Sequence, residues 1–382
     1  MSAPAGVRAA AARLKAWLLE GALPIWWERA ADMAGGGYHD RLNLDGTVAE
    51  GPKRLRVQAR QAYVYAQAKA LGWTGPAKLA SRQGINALLE RRCADGLYRT
   101  APDWIGPLDG MGLLYDQAFV LLALAAERAA FGDWGQEEVA LRLVRRIEAF
   151  AQGGGYGEAP GCAEPLFANP NMHLFESAQA WRAASPNPAW RDLAAGLARL
   201  AQQRLGVQQL QNHWRHAVLE QYRPGWRAPA SAGDWVIWPG HLYEWAFLLL
   251  QDDPQDDDAR YTALNLIDTA ERAGVDRERG VAMFALDGDF ASTDRGARLW
   301  AQTERARACA RAAALTGDAE LWAATLQACG AIEAFLDVPT RGLWRDWMAP
   351  GGGFREEPAP ASTLYHLVGA IMELDRQASA PT

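Results

Sequence analysis

A beat of about sixty residues runs through this chain, and no other feature narrows its possible folds as much. Short segments, most of them pairing a glycine with an aromatic residue, centre on Tyr38 (GGGYHD), Tyr98 (DGLYRT), Tyr156 (GGGYGE), Tyr222 (LEQYRP), Phe284 (VAMFAL) and Trp344 (RGLWRD). Their successive spacings are 60, 58, 66, 62 and 60 residues, and the fourth and fifth segments lack the glycine. A period of this length belongs to a repeat architecture, in which each unit buries its apolar face only against its neighbours.

Between these markers the apolar periodicity predicts helices in pairs. They fall near 7–32, 54–71, 76–93, 114–131, 136–152, 171–184, 188–205, 241–251, 256–273, 299–316, 318–335 and 362–376. Pro24 is placed to kink or split the first, while Pro239 and Gly240 stand just ahead of the eighth and Asp252-Asp253-Pro254 ends it. Six helix pairs with short hairpin-like inserts after alternate helices predict an all-α fold, a closed (α/α)6 barrel of twelve helices. It would form one catalytic domain over residues 1–382. Even-numbered helices would line the inside and odd-numbered ones the outside. VALRLVRRIEAF alternates charged and apolar positions as an outer helix should, and HLYEWAFLLL is apolar nearly all round. An open solenoid is the alternative.

Composition removes several classes of function. The chain is 49% hydrophobic and 22% charged, ordinary for a soluble globular protein. A net charge of −6 without any basic tract speaks against a nucleic-acid partner. Cys93, Cys162, Cys309 and Cys329 show no CxxC spacing and read as free thiols of a reducing compartment. With no secretory hydrophobic region and no run of membrane-spanning length, the expected location is cytoplasmic and no membrane partner is expected. The 17 tryptophans require an explanation.

Each proposed inner helix opens with a polar group. These are Arg60 (VQARQ), Tyr115 with Asp116 (LLYDQAF), His173 with Glu176 (NPNMHLFE), His241 with Glu244 (PGHLYEW), Glu304 (WAQTERA) and His366 (TLYHLV). His241 and Glu244 share a helix face, with Trp235, Trp238 and Trp245 around them. Closing the ring would bring all six positions to one mouth, and core packing rarely keeps choosing ionisable groups. Simpler readings stand beside this one: Arg60 paired to an outer-helix carboxylate, Glu304 on a solvated face with Arg305 and Arg307, Asp116 as a helix cap.

His213-x-x-His216 has a spacing that suits a metal, but no cysteine or carboxylate cluster accompanies it, and the HxxE pairs are not HExxH. No phosphate loop, nucleophile elbow or nicotinamide fingerprint is present, so neither metal nor cofactor is expected. Two histidines that titrate near neutrality and a fixed arginine suit proton abstraction next to a carbonyl, with the arginine facing the developing oxyanion. Aromatic walls with polar edges suit a sugar. A glycoside hydrolase using two of Asp116, Glu176, Glu244 and Glu304 competes with this reading but leaves His241 and His366 unexplained. A non-catalytic sugar-binding toroid is the third option.

Taken together and in this order, VQARQ, NPNMHLFE, PGHLYEW and TLYHL make the chain resemble the N-acylglucosamine 2-epimerase superfamily over essentially its whole length. The superfamily includes cellobiose 2-epimerases, sulfoquinovose-processing isomerases and D-mannose isomerases. The resemblance implies an (α/α)6 barrel with His241 and His366 as catalytic acid/base residues and Arg60 near the reacting oxygens. It implies sugar-contacting or histidine-orienting roles for Tyr115, Asn169, His173, Glu244, Trp300 and Glu304, and it implies no metal. Disaccharide-acting members carry a tryptophan where this chain has Ala361, which points to a free monosaccharide. The PASTLYHL context is most similar to the D-mannose isomerase branch. The expected activity is interconversion of D-mannose and D-fructose through a cis-enediol(ate), with D-lyxose as a side substrate. Sugar 2-epimerisation is the alternative, and the expected state is monomer or homodimer.

Overall fold

The computed structural model describes residues 3–99, 112–162, 164–209, 215–253 and 255–380, apart from the side chains of 208, 209 and 215. Among them are twelve main helices. The first half of the chain holds α1 (Ala5–Trp17), α2 (Leu55–Leu71), α3 (Ala77–Leu89), α4 (Leu114–Phe131), α5 (Gln136–Ile147) and α6 (Ala168–Ala184). The second half holds α7 (Pro188–Leu200), α8 (Pro239–Asp252), α9 (Asp257–Ala273), α10 (Leu299–Thr316), α11 (Ala319–Leu336) and α12 (Ala361–Ala378). Among the described residues no helix is long and apolar enough to cross a membrane.

Helices α2, α4, α6, α8, α10 and α12 touch in turn, and α12 returns onto α2, which closes the ring and rules out the open solenoid. Outer helices α3, α5, α7, α9 and α11 each pack on the inner helix before them, and α1 packs on α11 and α12. The amphipathic pattern is the cause. Helix α5 buries only Gln136, Ala140, Leu143 and Ile147, a single stripe, whereas α8 is buried from Pro239 through Leu250.

Boundaries depart from the periodicity where other forces act. The helix expected over 136–152 stops at Ile147, because the chain turns and Ala151–Gln152 pairs with Gly155–Tyr156. The sixth helix starts at Ala168 rather than 171, since Pro170 sits in the first turn, where its missing N–H costs nothing. Around Pro24 the first helix divides into π-turns, Leu18–Ala22 and Trp26–Ala30, that absorb the lost donor.

The rim at the N-terminal ends of the inner helices is a belt of short antiparallel pairings. Arg41–Leu42 pairs with Ala359–Pro360, Leu166–Phe167 with Gln221–Tyr222, and Ala297–Arg298 with Trp347–Met348. Each joins the segment entering one inner helix to the insert of the next repeat. The first amides of α4, α6, α10 and α12 accordingly donate to the carbonyls of Glu158, Glu220, Asp346 and Asp40.

A second device recurs in four of the six repeats. The side-chain amides of Gln58, Gln117 and Asn171 clamp both backbone groups of Tyr38, Tyr98 and Tyr156. In the fifth repeat Gln302 clamps Ala282, two residues before the marker Phe284. Tyr222 is not clamped; it pairs with Leu166, and its hydroxyl accepts from Leu219 N–H and donates to the Leu205 carbonyl.

Many tryptophans are packing elements. Trp26 stacks on Trp344 at 5.1 Å and Trp181 on Trp190 at 4.7 Å. Gly342, at φ +95°, lets the loop carrying Trp344 approach Gly21; a Cβ there would lie 2.4 Å from backbone.

Candidate active site

The sixth residue of five inner helices forms one tier around the axis: Arg60, Phe119, His173, Glu304 and His366. His241, in the first turn of α8, joins it. At helix four the tier falls on Phe119, not on Tyr115, because Gln117 occupies the clamp position two residues earlier, as Gln58, Asn171 and Gln302 do. Tyr115 stands one turn nearer the mouth and still reaches the axis. Asp116 is not a cap: it pairs with Arg56 at 2.9 Å.

Above this tier lies a cavity of about 150 Å³ lined by Arg60, Tyr115, Asn169, His173, Trp238, His241, Glu244, Arg298, Trp300, Ser362, Thr363 and His366. Nine residues singled out from the sequence, Trp238 among them, are in that wall. Glu304, expected to touch sugar, is not; it is fully buried behind His366.

The two histidines expected to do chemistry are held alike. Nδ1 of His241 lies 2.8 Å from Glu220 Oε1, and Nδ1 of His366 lies 2.8 Å from Glu304 Oε1. The carboxylate at Nδ1 favours the tautomer with Nδ1–H, which leaves Nε2 of each ring to serve the cavity that both histidines line. Trp300 lies between them, its ring 5.0 Å from His241 and 5.6 Å from His366. Trp238 packs on His241 at 4.9 Å and lies 6.4 Å from Trp300. Of the other tryptophans expected there, Trp245 instead packs on Phe175, and Trp235 N–H goes to the Pro229 carbonyl.

Arg60 has no carboxylate partner among the described residues. It donates to Tyr115 Oη at 2.7 Å and to the Ser362 carbonyl at 3.4 Å, with its guanidinium 4.2 Å over the Phe119 ring. Aromatic faces and a phenol hydroxyl hold it in place without a carboxylate to neutralise its charge.

Within the tier and beneath it is a buried electrostatic cluster. Burial pushes His173 down to about 4. Burial would raise Glu176, but the His173 hydrogen bond and the Arg307 guanidinium outweigh it and hold the carboxyl at about 2. Burial lifts Glu304 to about 7 and Glu244 well above the carboxylate range, the latter helped by the charges of Glu304 and Glu176. Burial, then the charge of Arg60, drives His366 well below its ordinary value. Arg307, 3.2 Å from Glu304 and 3.6 Å from Glu176, is the compensating cation. The cluster thus approaches neutrality, as a buried set must.

Glu244 is not the partner of His241, contrary to what the shared helix face suggests. Its nearest histidine is His173, at 3.8 Å, and both its oxygens are buried without a hydrogen-bond partner. Two sets, His173–Glu176–Glu244 and Glu244–Glu304–His366, have donor atoms within 4.8 Å of one another, a separation that could hold a metal ion. The donors fit one poorly. Glu304 already carries His366 and Arg307, Glu176 carries Tyr365 and Arg307, and only Glu244 has free oxygens. His213 lies outside the described residues, and His216 packs edge-on against Tyr261.

Glu220, Arg298, Ser362 and Thr363 were not singled out from the sequence. Glu220 lies in an insert 21 residues before His241, where no spacing rule reaches it.

A family model described as N-acylglucosamine 2-epimerase (GlcNAc 2-epimerase) matches residues 36–370. A protein of Rhizobium meliloti (strain 1021) named mannose-6-phosphate isomerase is 36% identical over 379 residues, spanning 96% of each chain. A solved D-mannose isomerase superposes with a TM-score of 0.87 at 23% identity, covering 96% of this chain and 97% of its own. A cellobiose 2-epimerase from Bacillus thermoamylovorans B4167 superposes with a TM-score of 0.83 at 16% identity, covering 96% and 99%. These two structural likenesses speak to the fold.

Proposed function

The chain belongs to the N-acylglucosamine 2-epimerase family, a family of sugar isomerases and epimerases, and from that membership we propose that it interconverts D-mannose and D-fructose. The observation that carries this reading is the twin arrangement of His241 and His366, each with Nδ1 on a carboxylate 2.8 Å away. His241 helps open the sugar ring. Nε2 of His366 then takes the proton from C2, the C–H electron pair forms the C1=C2 bond, and the former carbonyl oxygen becomes an enediolate oxygen facing Arg60. A proton passes from O2 to O1 by way of His241, and His366 returns its proton to C1, leaving the carbonyl at C2. No metal takes part in this scheme. Tyr115, Asn169, His173, Glu244 and Trp300 hold the sugar, and Glu304 orients His366.

The size of the cavity supports a monosaccharide: about 150 Å³ is below the roughly 300–1,000 Å³ of sites for drug-sized ligands. The name of the Rhizobium relative points to a mannose skeleton as well. The carboxylates argue against glycoside hydrolysis. That chemistry needs two carboxyls facing each other across the bond at roughly 5–9.5 Å. Here Glu176 and Glu304 are tied to Arg307, and Glu244 alone of the cluster lines the cavity.

The test is conversion of D-mannose by EDTA-treated protein, followed by sugar chromatography. D-Fructose as first product supports the proposal. D-Glucose as first product would replace it with 2-epimerisation, and activity lost to EDTA but restored by a divalent ion would overturn the metal-free route.

A further inference from the structure

Arg298 caps the start of α10, pairs in the rim with Trp347, and lies in the cavity wall. Its guanidinium is built into position. Nε donates to Asp346 Oδ2 at 2.8 Å, a terminal N–H donates to the same oxygen, and the group lies 5.5 Å over the Trp347 ring. Asp346 is buried, and its other oxygen accepts from the Thr363 hydroxyl at 2.6 Å. Thr363 lines the cavity one helical turn before His366. A guanidinium has five N–H bonds. Asp346 takes two here, and the others have no acceptor among the described residues, on a side chain that is 32% exposed.

Height along the axis says what those free bonds would meet. Arg298 precedes Glu304 by six residues of α10, about 9 Å at 1.5 Å per residue. His366 lies beside Glu304, so Arg298 stands at the outer end of a cavity whose inner end carries the chemistry. A sugar with C1 and C2 at His366 directs its remote hydroxyls there. The charge of Arg298 is already matched by Asp346, and nearby Arg54 is matched by Asp40 and Arg56 by Asp116. Arg355, 4.6 Å over the Trp347 ring, has no carboxylate partner among the described residues but does not line the cavity. Of the two cations that line the cavity, Arg60 stands at its inner end and Arg298 is matched. A phosphate dianion at the remote end would therefore meet no unmatched cation in the wall, whereas neutral hydroxyls need only the spare N–H bonds.

We propose that Arg298, braced by Asp346 and Trp347, is a specificity-determining residue that binds the terminal hydroxyl end of an unphosphorylated hexose. This rests on the isomerase reading and adds to it the class of substrate. D-Lyxose has the same upper carbons as D-mannose but lacks C6, so the two sugars report on the remote end alone.

The experiment measures kcat/KM for D-mannose, D-lyxose and D-mannose 6-phosphate on the wild type, Arg298→Lys and Arg298→Met, with Tm recorded for each. Arg298→Met should reduce the mannose-to-lyxose ratio about tenfold, the worth of one hydrogen bond to a charged group. The loss should fall mainly on KM for mannose, with Arg298→Lys intermediate and wild-type turnover of the phosphate ester poor. An unchanged ratio, with both sugars slowed alongside a fall in Tm, would make Arg298 a mere rim staple and overturn the proposal. Wild-type preference for mannose 6-phosphate, lost in Arg298→Met, would overturn the neutral-hexose assignment. Turnover of none of the three sugars by the wild type would instead overturn the isomerase reading on which this stands.

Discussion

The His366–Glu304 and His241–Glu220 pairs have the same length, 2.8 Å, but are held by different parts of the molecule. Glu304 rises from the inner helix α10, fully buried, with Arg307 beneath it and Glu244 beside it. Glu220 comes from a rim insert whose backbone is tied to Ala168 and Val236. The deep pair sits in a buried, charge-compensated cluster that fixes its position. The rim pair sits where a hydroxyl proton can be exchanged. Under the proposed function, this difference favours His366 for the carbon proton and His241 for the oxygen protons, although the two rings look alike locally.

The contrast can be broken most decisively at its centre. His366→Asn should lower kcat by the upper part of the roughly 10²–10⁴-fold range for a general acid/base, with Tm little changed. Retained activity in that variant would end the assignment. Arg60→Ala comes next. It should cut kcat by about 10²–10³-fold and affect KM less, because the oxyanion develops along the reaction path. An effect confined to KM would reduce Arg60 to a binding group.

Carboxylate exchange sharpens the comparison. Glu304→Gln should cost about tenfold more in kcat than Glu220→Gln, since removing one member of a buried charged network leaves the others uncompensated. Equal losses would mean that the two pairs serve one role.

Two pH effects are smaller. Arg60 helps push His366 below its ordinary 6.5, so the acid limb of kcat/KM should lie below that pH and move up towards it in Arg60→Gln. For stability, Glu304 is raised from 4.5 to about 7 in the folded state. Its contribution is therefore full below pH 4.5 and is lost as pH rises through 7. His173, lowered to about 4, contributes fully above 6.5 and loses that contribution as pH falls through 4. Thermal melts of Glu304→Gln should thus flatten on the alkaline side and keep the acid-side fall.

The ring was legible because each inner helix must be buried all round and each outer one on a stripe, and that difference is written in α8 and α5. Helices α4 and α10 match the periodicity end to end, each followed by a glycine with positive φ, Gly132 and Gly317. The site was legible where its residues fall on the sixty-residue beat, as Arg60, His173, His241 and His366 do. It was not legible where contacts are made by loops. Glu220 reaches His241 only through the folding of an insert, and Arg298 depends on Asp346, 48 residues away. The beat itself points to Tyr115 at helix four because Tyr115 is a polar side chain near that position. The regular Gln58, Gln117, Asn171 and Gln302 clamps would have placed it on Phe119. Glu244 shows the opposite hazard: a shared helix face with His241 that the fold uses for nothing between them.

The most direct measurement is a proton NMR time course of the protein with D-mannose in heavy water. The account predicts D-fructose carrying deuterium at only one of its two C1 positions, some deuterium at C2 of the remaining mannose, and no early D-glucose. Deuterated D-glucose appearing first would show protonation on the opposite face. It would make His241 a second carbon base and contradict the division of labour between the two histidines.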